Sequence, residues 1–282
     1  MRKIYTRIAV MFTLCITLTA LAACGDTAST PAPSANNNMS QPTHNISAST
    51  PTPLAVMDTY DFGGYEWLVL DVQDDMVLII TKDIIDLALY VELDSTYSDL
   101  DPRTWENSDV RLWLNDEFLN IFNSEEITRI QMTHLINNGN PYLGTPGGND
   151  TYDQVFLLSL DEVLEYFGDS GAVEEFGAKY ISDEFDDNRT AIVNMTKAQL
   201  DRVALRFSER YSDVFGSYED LLDEISELNY EPYGWSLRTP GGFDCIAYFP
   251  CIWPVTVYGD GSITLWGTDA TGIRPAMWIS YP

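Results

Sequence analysis

The chain has 282 residues, with 43 Asp+Glu against 15 Lys+Arg, two histidines and a formal net charge of −28. A polyanion of this kind is repelled by nucleic acid and by anionic lipid surfaces, which argues against DNA or RNA as a partner. Hydrophobic residues at 45% and aromatics at 12% suffice for a packed core, which excludes wholesale disorder.

In chain order, residues 1–23 read as an address. Arg2, Lys3 and Arg7 precede an apolar run from Ile8 to Ala20 that is interrupted by Thr13, Thr17 and Thr19. The run is short for a membrane span, which needs about 20 apolar residues, and it fits a secretory signal. Leu21-Ala22-Ala23-Cys24 then resembles the bacterial lipoprotein box, in which the cysteine becomes the lipidated first residue. A thiolate is required there because it takes the diacylglyceryl group as a thioether. Two or more acyl chains make a stable anchor, so the expected location is the extracytoplasmic face of a cell membrane. All 43 acids lie after residue 23 and three of the 15 bases before it, so the exported chain would carry −31.

Residues 24–53 read as a tether. They hold Ser, Thr, Ala, Asn and five prolines, with Asp26 the sole charged residue. Such a segment buries too little surface to offset its chain entropy and is expected to be disordered, spanning on the order of 30 Å. It contains His44, so the globular part, residues 54–282, keeps one histidine, His134. Cys15 leaves with the signal, which leaves Cys245 and Cys251 beyond the anchor. They suit one local disulfide, two reduced buried thiols or a thiol metal site.

Within residues 54–282, YEWLVLDV (Tyr65–Val72) and MVLIIT (Met76–Thr81) flank Gln73-Asp74-Asp75 and predict a β-hairpin. Thr104–Phe122 predicts a helix capped by Asn107 or Ser108, with Val110, Trp113, Leu114, Phe118 and Ile121 on its apolar face. A short helix starts at Ser124, a strand is expected within Gln131–Asn137, a Gly/Pro/Asn loop over Pro141–Asp150, and a buried strand at Val155–Leu158. Ser159-Leu160-Asp161-Glu162 and Thr196-Lys197-Ala198-Gln199 are capping boxes, with Gly168 closing the first helix. An acidic helix follows over about Tyr218–Leu228. From Tyr233 the pattern turns to short strands: Gly234–Arg238, Ile246–Phe249, Pro254–Tyr258, Ser262–Trp266 and Ala276–Ile279, with a hairpin turn at Gly259-Asp260-Gly261. The fold class is therefore α+β, one domain with an antiparallel sheet built from both chain ends and helices between.

Several of these segments carry a family resemblance. They are Phe62-Gly63-Gly64-Tyr65-Glu66-Trp67, Thr104–Ser108 with Arg111–Asn115, Val155–Ser159 with Asp161–Val163, Trp235–Gly241, and Gly272–Ile279. Together, and in this order over residues 58–282, they resemble the bacterial domain-of-unknown-function family 6273. The chain departs from that pattern at Gly234, where the family often doubles the tryptophan, and in a longer stretch over about 169–230. The closing segments also resemble the end of C-type-lectin-like domains. These include the formylglycine-generating enzymes and the variable receptor-binding proteins of diversity-generating retroelements. That similarity implies a C-type-lectin-like fold with a ligand face between Thr239 and Gly272.

Catalytic constellations are thin. A nucleophile triad needs a positioned base, and His134 in a Met-Thr-His-Leu context reads as a packed or surface histidine. No phosphate-binding glycine loop occurs. A structural zinc site needs four Cys/His ligands, more than the domain supplies alone. The formylglycine-generating enzymes use a cysteine pair for copper-dependent oxidation, but Cys245 and Cys251 lack that motif. Calcium is the more reasonable ion, with Asp94, Asp99 and Asp101, or Asp183, Glu184, Asp186 and Asp187, as candidate ligands; a solvated acidic surface is the alternative. The implied ligand face holds Phe243, Trp253 and Trp266 beside Asp244, Asp260 and Asp269, and exposed aromatics next to polar groups suit a glycan or protein ligand. Arg238 and Arg274 in the framing motifs are expected to pair with buried carboxylates. The expectation is thus a non-catalytic, membrane-anchored binding domain that needs no cofactor. A formylglycine-generating-type oxidoreductase or a purely structural envelope lipoprotein are the alternatives.

Overall fold

The computed structural model describes residues 53–90, 104–168, 180–182, 189–215, 217–243, 252–259, 262–264 and 270–281. The chain divides into two units, Met1–Thr52 and Pro53–Pro282, and the described residues lie in the second. The expected signal, Cys24 and nearly all of the tether fall outside them.

The strands are β1 (Thr59–Phe62), β2 (Tyr65–Gln73), β3 (Met76–Thr81), β4 (Asp86–Leu89), β5 (Thr133–Leu135), β6 (Thr151–Asp153), β7 (Tyr180–Ser182), β8 (Trp235–Phe243), β9 (Ile252–Val257), β10 (Ile263–Thr264), β11 (Ala270–Ile273) and β12 (Ala276–Ser280). The helices are α1 (Asp109–Asn115), α2 (Ser124–Arg129), α3 (Leu160–Phe167), α4 (Lys197–Phe215) and α5 (Tyr218–Leu228). The fold is α+β. Where one sheet was expected, the described strands form three: β1-β2-β3-β12, β4-β11-β8-β9-β10-β7, and the ribbon β5-β6. The two chain ends do meet, because β12 pairs antiparallel with β3. In the six-stranded sheet, β11 and β8 run parallel, which a purely antiparallel reading did not anticipate.

Local chemistry accounts for the first sheet. Gly63 and Gly64 both have positive φ (59° and 80°) and close the β1–β2 hairpin between Phe62 and Tyr65. A Cβ on Gly63 would lie 2.1 Å from the Phe122 ring, so both backbone and packing demand glycine there. The β2–β3 turn is Asp74-Asp75, with Asp74 at φ 49°. A register shift between Val69 and Asp71 lets the neighbours Val69 and Leu70 both bury their side chains. In the second sheet, Gly272 N donates to Gly234 O at 2.7 Å. A Cβ on Gly272 would meet that oxygen at 2.9 Å, so the closeness of β11 to β8 depends on this glycine.

The caps follow the expected residues. Ser108 accepts from Arg111 N at the start of α1. Ser159 and Glu162 form the reciprocal box before α3, and Gly168 ends it at φ 84°. Thr196 and Gln199 form the second box. The helix expected over Thr104–Phe122 is instead split. Its middle, α1, ends at Asp116 (φ −123°, ψ −80°), and a short 3-10 turn, Phe118–Ile121, follows. The cause is Asn115, whose Oδ1 accepts from Gln154 N and Val155 N while Nδ2 donates to Val155 O. The break turns Ile121 to solvent. Residues 155–158 are buried as expected but bond in ladder fashion only through Phe156, which exchanges both backbone bonds with Ala276.

Trp67, Trp105 and Trp235 are fully buried, and each finds a partner for its indole N–H: Phe62 O, an Asp153 carboxylate oxygen and Arg189 O. Burial also raises the pKa of enclosed phenols: Tyr233 is pushed up to about 12, and Tyr90, donating to Arg238 O, is pushed up as well. Free phenols ionise near pH 10. Above that, the unfolded chain releases protons that the folded chain keeps, so their contribution to stability is full below about pH 10 and lost as pH rises toward about 12. Denaturant midpoints taken from about pH 8 to about pH 11 should fall at the alkaline end, with the phenolate absorbance of Tyr233 and Tyr90 appearing only on unfolding.

Candidate functional site

The framing strands are where the sequence places them. Phe243 ends β8 opposite Ile252, and Trp253 lies in β9. Asp244, Cys245, Cys251, Asp260, Trp266 and Asp269 lie outside the described residues, as do both candidate calcium clusters. Thr239–Gly242 of β8 and Pro254–Val257 of β9 are buried, as are Ser262 and Ile263. These are inner strands of their sheet, and the Gly/Asn/Pro loop caps the end of β8. Asn140 Nδ2 donates to Pro240 O at 2.9 Å, and Thr145 Oγ1 donates to Gly241 O at 2.8 Å. Among the described residues, no group of three His, Cys, Asp or Glu side chains is placed to hold a metal ion.

The two framing arginines differ. Arg238 finds a carboxylate, though a half-buried one: its guanidinium forms an ion pair with Glu162 of α3 and donates to Leu157 O. Arg274 does not. It donates to two backbone carbonyls, Thr81 O (3.0 Å) and Lys82 O (3.1 Å), and lies over the Trp235 ring at 4.7 Å. Burial lowers its pKa to about 10, still well above neutrality. A π face and carbonyl dipoles hold this cation in place of a carboxylate.

A buried polar knot anchors the loop before β6. Asp153 accepts from Trp105 Nε1 (2.9 Å), Arg111 Nε (2.8 Å) and Thr151 Oγ1 (2.7 Å). Glu106 receives both the backbone and the side-chain N–H of Asn149, which hold its carboxyl below the usual range.

The β5–β6 ribbon carries an exposed stripe. Met132, His134 and Ile136 alternate along β5 and the residues that flank it, and Tyr152 lies opposite His134. Met132, Ile136 and Tyr152 are 62%, 59% and 66% exposed. The His134 and Tyr152 rings stack at 4.7 Å, and His134 Nε2 lies 3.6 Å from an Asp150 carboxylate oxygen. His134 is thus a surface histidine, as expected. Period-2 alternation in Met-Thr-His-Leu-Ile was the available signal, and the sequence reading took only the strand from it.

A second cluster joins β2, β4 and α4. Asp86 is buried in β4; one carboxylate oxygen accepts from Arg206 at 2.6 Å, and Arg206 also donates to Leu87 O. The other oxygen, Oδ2, is buried without a partner among the described residues. Gln199 Nε2 donates to the Tyr65 hydroxyl at 3.1 Å and to Ile85 O at 3.2 Å, while its Oε1 accepts from Thr196. The Tyr65 phenol is raised by burial, opposed by Arg202 and reinforced by Asp86. Sequence reasoning passed over this cluster: an acid inside Ile84-Ile85-Asp86-Leu87 and Gln199, Arg202 and Arg206 at helical spacing were visible separately, and only the fold brings them together.

No curated protein and no solved structure matches the chain. One family is shown: the model described as Domain of unknown function (DUF6273) matches residues 74–281, from the β2–β3 turn to the end of β12. The β3–β12 pair, the Asp153 knot, the Arg238–Glu162 ion pair and the Arg274–Trp235 stack all lie inside that span, and the chain belongs to the DUF6273 family.

Proposed function

We propose that this protein is an extracytoplasmic lipoprotein, lipidated at Cys24, whose domain binds a glycan or protein ligand without catalysing a reaction. The observation that carries the anchor is Leu21-Ala22-Ala23-Cys24 at the end of a basic-then-apolar leader and ahead of a Pro/Ser/Thr/Asn tether. Ligand binding is supported by the exposed Met132, His134, Ile136 and Tyr152 side chains on the β5–β6 ribbon, because contiguous exposed apolar groups mark interaction surfaces. The finer reading is a C-type-lectin-like domain that uses Phe243, Asp244, Trp253, Asp260, Trp266 and Asp269, with calcium as a possible aid and Cys245–Cys251 as a local disulfide.

Two measurements test this. The Cys24→Ala variant should shift from the membrane fraction to the medium; unchanged membrane association overturns the anchor. A glycan and peptidoglycan array, followed by calorimetry with and without calcium, should give a saturable ligand that weakens when Tyr152→Ala is introduced. No binding in any condition overturns the binding reading in favour of a structural envelope role. Copper-dependent oxidation through Cys245 and Cys251 would overturn it in favour of an oxidoreductase.

A further inference from the structure

We infer that the exposed stripe on the β5–β6 ribbon docks a segment of another protein that is apolar at its centre and basic at its rim. This rests on the binding reading above and narrows its ligand to protein. The stripe is a built surface, because the opposite face of the ribbon is locked. In the register Thr133↔Asp153, His134↔Tyr152 and Leu135↔Thr151, the side chains of Leu135, Thr151 and Asp153 are buried, and Asp153 is tied to Trp105 and Arg111. Strand alternation then holds His134 and Tyr152 outward, and a one-residue slip that hid them would expose the buried acid. Met132 and Ile136 extend the row at two-residue spacing to a length of about 13 Å, at about 3.3 Å per residue. A surface fixed in this way loses little freedom on binding.

Chemistry selects the occupant. Met132 and Ile136 offer neither a π face nor a polar tip, and they are nearly as exposed as Tyr152. A sugar gains from ring faces and hydrogen-bonding groups, whereas aliphatic side chains on either side of the rings suit apolar side chains of a protein. The stacked His134 ring also covers one face of Tyr152. The rim of the stripe is acidic. Asp150 has one carboxylate oxygen 3.6 Å from His134 Nε2, and the other accepts from Asn137 N at 3.0 Å. Its neighbour Asn149 donates to Glu106, whose carboxyl is held below the usual range by those bonds. Arg111 of α1 and Arg129 of α2 are committed elsewhere, to Asp153 and to Ser280 O with the Tyr60 hydroxyl. A partner with Lys or Arg beside its apolar residues complements this rim in a chain of net charge −28. A second copy does not, because it would join two polyanions of the same sign.

The test pans a random peptide display library against the full chain, with the double variant Met132→Ser, Ile136→Ser as counter-selection. Enriched sequences should combine apolar side chains with Lys or Arg, and a synthetic consensus peptide should bind in calorimetry with Kd at or below about 100 μM. The double variant should weaken it by about tenfold or more. Raising NaCl from about 0.05 M to about 0.5 M should weaken it several-fold. Both substitutions fall at exposed positions, and circular dichroism separates lost binding from lost folding. The proposal is overturned if no peptide is enriched, if the consensus binds the folded double variant equally well, or if it is acidic or insensitive to salt. A glycan hit on the array with no peptide enriched overturns the protein partner and leaves the binding reading standing; no hit in either overturns both. A wild-type dimer in sedimentation that the double variant dissociates overturns the proposal in favour of a second copy.

Discussion

Replacing Asp153 with alanine is expected to cost about 3–5 kcal/mol of folding stability, the range for removing one partner of a buried charged pair. The carboxylate is 1% exposed and receives three donors from three places: Trp105 before α1, Arg111 within it and Thr151 in β6. Alanine leaves the Trp105 indole N–H and the Thr151 hydroxyl without this acceptor in a site closed to water, and leaves Arg111, still bonded to Glu106 O, without its carboxylate. Asp153→Asn keeps an oxygen but turns an amide N–H₂ toward donors, so it should recover only part of the loss. Denaturant midpoints for wild type, Asp153→Asn and Asp153→Ala should rank in that order, with alanine lowest. Equal midpoints would mean that the knot is replaced by water at no cost.

The second large effect belongs to Trp235. It is fully buried, donates to Arg189 O, meets Phe167 edge-on and supplies the ring under Arg274. Trp235→Ala should destabilise by about 3–5 kcal/mol through the cavity alone. The true cost should lie at the top of that range, because the cavity also removes the π face that faces a buried cation. Trp235→Phe keeps a ring and loses the N–H, so a loss of about 1–3 kcal/mol is expected. The double variant Trp235→Ala, Arg274→Met separates the two terms: if the cation is what suffers, the second substitution should restore part of the loss. Strict additivity in that cycle would show that ring and guanidinium are energetically independent.

Much of this architecture was legible in the residues, for reasons that can be named. Helix ends were readable because Ser108, Ser159 and Thr196 announce caps through local side-chain-to-backbone bonds. The β2–β3 hairpin was readable because both strands are apolar, β-branched and joined by a short acidic turn. What failed was non-local. The helix across Thr104–Phe122 has sound periodicity, yet Asn115 spends its amide on the chain at Gln154 and Val155, a competition invisible to a window along one segment. The parallel β8–β11 contact depends on a close approach at Gly234 and Gly272, residues that in sequence look only like punctuation. Arg274 was expected to find a carboxylate, and it found a ring and two carbonyls, because its partners come from residues about 40 to 190 positions away. The Asp86 cluster was missed for the same reason: its members lie on β2, β4 and α4, and only the fold brings them together.

The pairing of β12 with β3 sets a schedule for the chain as it is made. Val77, Leu78, Ile79 and Ile80 form one side of that pair, and their partners are Ala276–Ile279. Roughly 200 residues separate the two, so at ribosomal speeds β3 waits on the order of ten to forty seconds for its neighbour. During that interval an apolar, β-branched strand has an open edge, the feature that invites pairing with other chains. Asp74 and Asp75 on one side and Lys82 and Asp83 on the other place charges at both ends of it. They act as gatekeepers, keeping the waiting strand soluble until its partner emerges.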